Sequence, residues 1–183
     1  MRCMEKKNSF ALETVSVRLV KDSPIYSDYE IHSPEDAIRL LGDTLSQMDR
    51  EIVCVINLKA NGVPINCNFA SVGAINYSMA HPRELLKAAI LSNAAQVILV
   101  HNHPSSNLVP SKDDIRMTDR MQKVCELVGI PLIDHVIVGG DNSRYFSFKE
   151  KGMVNQPTIN YCNDYNQLEW KKGISVAEEG RRR

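Results

Sequence analysis

The run Gln96-Val97-Ile98-Leu99-Val100 constrains the fold most, because its four successive apolar side chains would point alternately to both faces of a strand. A strand that is apolar on both faces needs cover on each side, which puts it inside a sheet packed between other layers. The neighbouring segments supply candidates for those layers. In "SPEDAIRLLGDTLSQMD", Ser33 can cap and Pro34 suits a first helical position. Ile38, Leu41, Leu45 and Met48 then form one apolar face, so a helix is expected from about residue 34. Pro82 opens a second expected helix in "AHPRELLKAAILSNAA", with Leu85, Ala88, Ala89 and Leu91 facing inward. A third is marked by Ile115, Thr118, Met121, Val124, Cys125 and Val128, with Gly129 as its stop.

Strands are expected between these helices. "REIVCVINLKANGVPINCNFA" reads as two strands joined at Asn61-Gly62, a dipeptide suited to the positive φ of a tight hairpin. A short extended piece follows at "SVGAIN". "IPLIDHVIVGG" is another strand, and "RYFSFKEKGMV" begins as one. Alternation from Val15 to Leu19 suggests a further strand in the N-terminal segment. Helices alternating with strands around a mixed sheet indicate an α/β or α+β class. From Asn155 onward periodicity is lost, and residues 155–183, with Trp170 among them, read as a mobile tail.

Composition narrows the function classes. Lys+Arg and Asp+Glu both number 22, so net charge offers no argument for a nucleic-acid partner. Arg181, Arg182 and Arg183 read as a solvated end. Five cysteines at irregular spacing (Cys3, Cys54, Cys67, Cys125, Cys162) argue against a disulfide framework or a cysteine zinc site. Cys54 and Cys125 fall in apolar segments and read as core residues. The first residues lack the apolar core of a signal peptide, and no apolar run is long enough for a membrane span, so the expected address is the cytoplasm.

The chemistry concentrates after the apolar run, in "HNHPSSNLVPSKDD". Residues two apart in a strand share a face, so His101 and His103 would project together, as a chelating pair of imidazoles does. Either histidine alone is also explained as a satisfied polar residue where a strand ends. Asp114 divides in the same way. Ser111-x-x-Asp114 resembles a helix cap, yet an acid on the first turn of a helix that directly follows a two-histidine strand is well placed to be a third ligand. His135 reads as a structural group or one supporting the ligands, His81 as an opener of the helix at Pro82, and His32 has no evident partner.

His101-x-His103-Pro104, six intervening residues and Ser111-x-x-Asp114 match the JAMM (MPN+ or JAB) metalloprotease motif. "HPRELLKAAILSNAAQVILVHNHPSS", "LIDHVIVGG" and "FSFKEKG" resemble its bacterial RadC-like branch. The resemblance covers roughly residues 30–154, leaving 1–29 as an N-terminal extension. It implies a cytidine-deaminase-like JAB/MPN fold, α/β with a mixed central sheet flanked by helices. A zinc ion would be held by His101, His103, Asp114 and a water, and that water would attack a peptide or isopeptide carbonyl of a protein or peptide substrate. Ser111 would stabilise the oxyanion. The general base would be Glu51, beside the first central strand, with Glu84 as its rival.

Two departures from the family pattern bear on this. Many longer relatives carry an N-terminal helical region with helix-hairpin-helix character, where this chain has a short extension. They also read HNHPSG where this chain has Ser106, and glycine permits backbone angles that serine resists. The resemblance leaves open a DNA-associated repair, replication or mobile-element accessory role with a structural metal site, and a scaffold without activity. The letters His101-Asn102-His103 do not indicate an HNH nuclease, whose residues are dispersed over a separate module. No apolar stripe identifies an oligomeric interface.

Overall fold

The computed structural model describes residues 14, 16–72, 81–140, 142 and 144–155. Residues 156–183 of the expected tail, Val15 of the expected first strand and residues 73–76 of "SVGAIN" lie outside them.

Helix α1 (Pro34–Ser46) starts as its sequence dictates. Ser33 accepts from the Asp36 amide, and the Asp36 carboxylate accepts from the Ser33 amide, completing a reciprocal cap. It buries Ala37, Leu41, Gly42 and Leu45. Strands β1 (Ile52–Leu58) and β2 (Pro64–Val72) form the expected antiparallel hairpin, and Gly62 at φ 85° takes the left-handed turn position. A side chain at Gly62 would also strike the Ile31 carbonyl at 2.8 Å.

Strand β3 (Gln96–His103) runs on through both histidines. It pairs antiparallel with β1 and, across the crossover helix α4 (Lys112–Val128), parallel with β4 (Leu132–Gly139). Strand β5 (Tyr145–Ser147) closes a five-stranded mixed sheet of order β2-β1-β3-β4-β5. The central position of β3 accounts for its continuous apolar run. Val97 and Leu99 pack on one face with Met117, Met121 and Cys125 of α4, while Ile98 and Val100 pack on the other with Leu41 and Leu45 of α1. Burying a side chain of this size stabilises the fold by about 1.5–3 kcal/mol. Cys54 and Cys125 are core residues, both fully buried. Among the described residues no helix is long and apolar enough to cross a membrane.

Three expectations are corrected. Residues 16–20 form no strand: Val17, Leu19 and Val20 are exposed, and among the described residues no partner strand pairs with them to provide a ladder. The helix from Pro82 is two short ones, α2 (Pro82–Leu85) and α3 (Lys87–Leu91), broken at Leu86. The break accompanies burial of both Leu85 and Leu86, adjacent residues that one regular helical stripe would not turn inward together. On α4 the buried face is Asp114, Met117, Thr118, Met121 and Cys125, leaving Ile115 and Val128 exposed. That rotation turns Asp114 and Thr118 toward the sheet.

Candidate metal centre

The site forms where β3 ends and α4 begins. His101 and His103 leave β3 on the α4 side, and the loop through Pro104 and Pro110 returns the chain so that Ser111 caps α4 with Asp114 in its first turn. His101 Nε2 lies 3.4 Å from Asp114 Oδ1, and His103 Nε2 lies 3.5 Å from Asp114 Oδ2. The two imidazole Nε2 atoms are 2.9 Å apart. One ligand atom from each of the three residues falls within 4.8 Å of the others, and all three residues are buried, so the cluster could hold a metal ion.

Two details bear on the fit of a cation. The Asp114 Oδ2 atom accepts from the Ser111 amide at 2.7 Å, but Oδ1 is buried without a hydrogen-bond partner. A buried acceptor left in that state costs free energy unless something positive faces it. His103 Nδ1 lies 2.5 Å from the Asn107 carbonyl, which can only accept, so this nitrogen carries the proton and the neutral ring turns its Nε2 lone pair into the cluster. Two nitrogens and one carboxylate oxygen, converging and dry, suit a borderline cation.

The electrostatics agree. Burial pushes His101 down to about 4, with the Asp114 carboxylate opposing and His103 adding to the shift. Burial would raise the Asp114 carboxyl, but His103, His101 and the Ser111 donors outweigh it and hold the group well below the usual carboxylate range. The Asp114 carboxylate 3.5 Å from its Nε2 raises His103 against its own burial by favouring the protonated ring, helped by the Asn107 carbonyl and the charge of Glu51.

Glu51 is half-buried immediately before β1. The ladder pairs Val53 with His101, and continued in the same register it sets Glu51 beside His103. Asn102, on the opposite face of β3, fastens this approach: its Oδ1 accepts from the Ile52 amide at 2.8 Å and its Nδ2 donates to the Arg50 carbonyl at 3.1 Å. Glu84 is instead on α2, bonded to Lys87 with Arg83 at 3.6 Å. Ser111 is exposed, and its Oγ accepts from the Asp114 amide at 3.1 Å while its hydroxyl, like its amide, faces the Asp114 carboxylate. Ser106 takes φ 58°, the left-handed conformation that glycine adopts without strain, and its Oγ accepts from the Gly140 amide at 3.0 Å.

The remaining histidines separate clearly. His81 caps α2, its Nδ1 accepting from the Arg83 amide at 3.2 Å. His32, without an evident partner in the sequence, pairs with Glu30 at 2.8 Å. His135 is fully buried with Nε2 2.7 Å from His101 Nδ1, so it supports a candidate ligand from behind. Thr118 touches His135 in turn, a contact that sequence reasoning missed. Its position one turn after Asp114 on the same helix face was the available signal.

A family model described as RadC-like JAB domain matches residues 31–153. Among curated relatives, a UPF0758 protein of Clostridium kluyveri is 42% identical over 127 residues, covering 69% of this chain and 55% of the relative. One of Clostridium beijerinckii is 36% identical over 130 residues, covering 71% and 56%. One of Caldanaerobacter subterraneus is 40% identical over 125 residues, covering 68% and 53%. The chain thus spans about half the length of the curated relatives it matches.

Proposed function

Because the chain belongs to the RadC-like JAB domain family, we propose that His101, His103 and Asp114 hold a zinc ion and that the protein is a metallopeptidase-type hydrolase of the JAMM class, acting on a peptide or isopeptide bond. The observation that carries this reading is the buried, unpartnered Oδ1 of Asp114 beside two converging imidazole nitrogens. When bound, zinc supplies Lewis acidity, lowering the pKa of a water toward ~7 and polarising a carbonyl oxygen.

The chain's own residues have separate tasks in this reading. His101, His103 and Asp114 fix the ion's position from three directions. Glu51 takes the proton of the attacking water and passes it to the leaving amine, a role its position beside His103 supports. Ser111, whose hydroxyl lies at the start of α4 beside Asp114, donates a hydrogen bond to the oxyanion that develops on the substrate carbonyl. Glu84, already engaged by Lys87 and Arg83, has a surface role.

Elemental analysis of untagged protein tests the reading, comparing wild type, Asp114→Ala and Glu51→Gln. The expected result is near one zinc per chain in wild type and Glu51→Gln, lost in Asp114→Ala, with peptide hydrolysis in the wild type only. Folded wild type that takes up no supplied zinc would overturn it and favour a binding role.

A further inference from the structure

Behind His101 runs a line of three short contacts that leads away from the cluster. His101 Nδ1 is 2.7 Å from His135 Nε2, His135 Nδ1 is 2.6 Å from Thr118 Oγ1, and Thr118 Oγ1 is 2.7 Å from the backbone carbonyl of Asp114. Every member is buried: His101 and His135 are fully so, Asp114 is 1% exposed and Thr118 2%. Water therefore does not complete these contacts, and each needs a proton between its two electronegative atoms.

The carbonyl decides the direction. It has no proton to give, so the hydroxyl proton of Thr118 occupies the contact with Asp114. A threonine hydroxyl has only one proton, and Thr118 must then accept from His135 Nδ1. His135 is stacked on Phe148 at a centroid distance of 4.6 Å, and as a neutral imidazole it has one proton, already placed on Nδ1. Its Nε2 consequently accepts from His101 Nδ1. A neutral His101 with its proton on Nδ1 presents a bare Nε2 lone pair to Asp114 and, across 2.9 Å, to the Nε2 of His103, the one contact of the cluster that these tautomers leave for a cation rather than a proton to bridge.

We propose that Thr118 and His135 are positioning residues that set the tautomer of His101 through a hydrogen-bond relay of fixed direction, anchored on the main chain of Asp114. The inference rests on the metal-site reading above for its purpose, but not for its geometry. The arrangement gives the two histidines different kinds of support. His103 is fixed by a backbone carbonyl, that of Asn107, whereas His101 is fixed through two side chains that substitution can reach. It also couples the candidate ligands, because the carbonyl that orients His101 belongs to the residue whose carboxylate faces it. Reversing the relay would bring an N–H to His101 Nε2 and block it as a metal donor. Partners that orient a ligating histidine in this way typically contribute about 10–100-fold to metal affinity.

The test uses the full chain, as wild type, Thr118→Val and Thr118→Ser. Long-range 1H–15N correlation of the imidazoles at pH 8, with metal removed, reads which ring nitrogen carries the proton, and competition with a chromophoric chelator reads the zinc dissociation constant. The relay requires Nδ1–H tautomers at His101 and His135 in wild type and Thr118→Ser. Thr118→Val, which keeps the shape and removes the hydroxyl, should show a mixed or switched tautomer and zinc binding weakened about 10–100-fold. Nε2–H at His101 in metal-free wild type would overturn the proposal without any variant, as would unchanged tautomer and affinity in folded Thr118→Val. Wild type that shows the required tautomers but binds no zinc would uphold the relay and sink the metal-site reading, so the two failures are distinguishable.

Discussion

Asn102 lies between the two histidines yet faces away from them, and replacing it with alanine tests how the start of β1 is held. Its side chain continues the β1–β3 ladder past the Val53–His101 pair, gripping the backbone on both sides of Glu51. In Asn102→Ala the Ile52 amide loses its acceptor inside a residue only 5% exposed, and an orphaned buried donor costs about 1–3 kcal/mol. The Arg50 carbonyl belongs to an exposed residue and can turn to water, so losing that bond adds roughly 0.5–1 kcal/mol. The total is about 1.5–4 kcal/mol. Urea unfolding of metal-free protein reads it as a lower midpoint with unchanged slope. Zinc affinity should move by no more than a few fold, since Asn102 points to the opposite face. A loss below about 0.5 kcal/mol in a folded variant would refute the clamp, and with it the account of what keeps Glu51 beside His103.

Further outcomes follow from other parts of the structure. Ser106→Ala should destabilise by about 1 kcal/mol because it loses the bond from the Gly140 amide and keeps the left-handed backbone, whereas Ser106→Gly should lose less, since the relieved strain offsets the same bond; thermal unfolding orders the two. Gly129→Ala should cost about 1 kcal/mol by the same assay: its φ of 75° is strained for alanine although nothing crowds the position. Metal-free protein should lose stability as pH falls from 6.5 toward 4. Burial holds His101 down at about 4 and His135 well below its usual value, so the unfolded chain takes up protons that the folded chain refuses. Each such group steepens the loss by about 1.4 kcal/mol per pH unit, while His103, shifted upward, contributes stability that is already complete below 6.5 and is lost only as pH rises above that range. Unfolding midpoints that rise over that range on acidification would contradict the buried neutral histidines.

The parts of this fold legible in the sequence are those set by neighbours in the chain. Ser33, Pro34 and Asp36 define the start of α1, Gly62 the hairpin, Gly129 the end of α4, and the unbroken apolar run of β3 its place between two layers. What failed depended on contacts distant in the sequence. The alternation at residues 16–20 matches a strand, but alternation does not show whether a partner strand exists. The face of α4 followed from counting apolar residues, and that count omitted Asp114, whose burial depends on histidines contributed by another element. His135 was legible as a supporting group. Its contact with His101 depends on a parallel register interrupted between Val97 and Ile98, which the sequence does not display.

The sequence also set two explanations of Asp114 against each other, helix cap or metal ligand, and the structure shows that they do not compete. A carboxylate has two oxygens. Oδ2 accepts from the Ser111 amide and completes the reciprocal cap of α4, which fixes the side chain's rotamer and favours its charge at the helix N-terminus. Oδ1 is thereby held toward His101 with no partner of its own. The cap is the means by which this oxygen is turned toward the two imidazoles. A Ser-x-x-Asp pair that follows a strand bearing His-x-His therefore uses an ordinary helix start to turn a carboxylate oxygen toward the two imidazoles, and the local signal for the cap is itself part of the signal for the cluster.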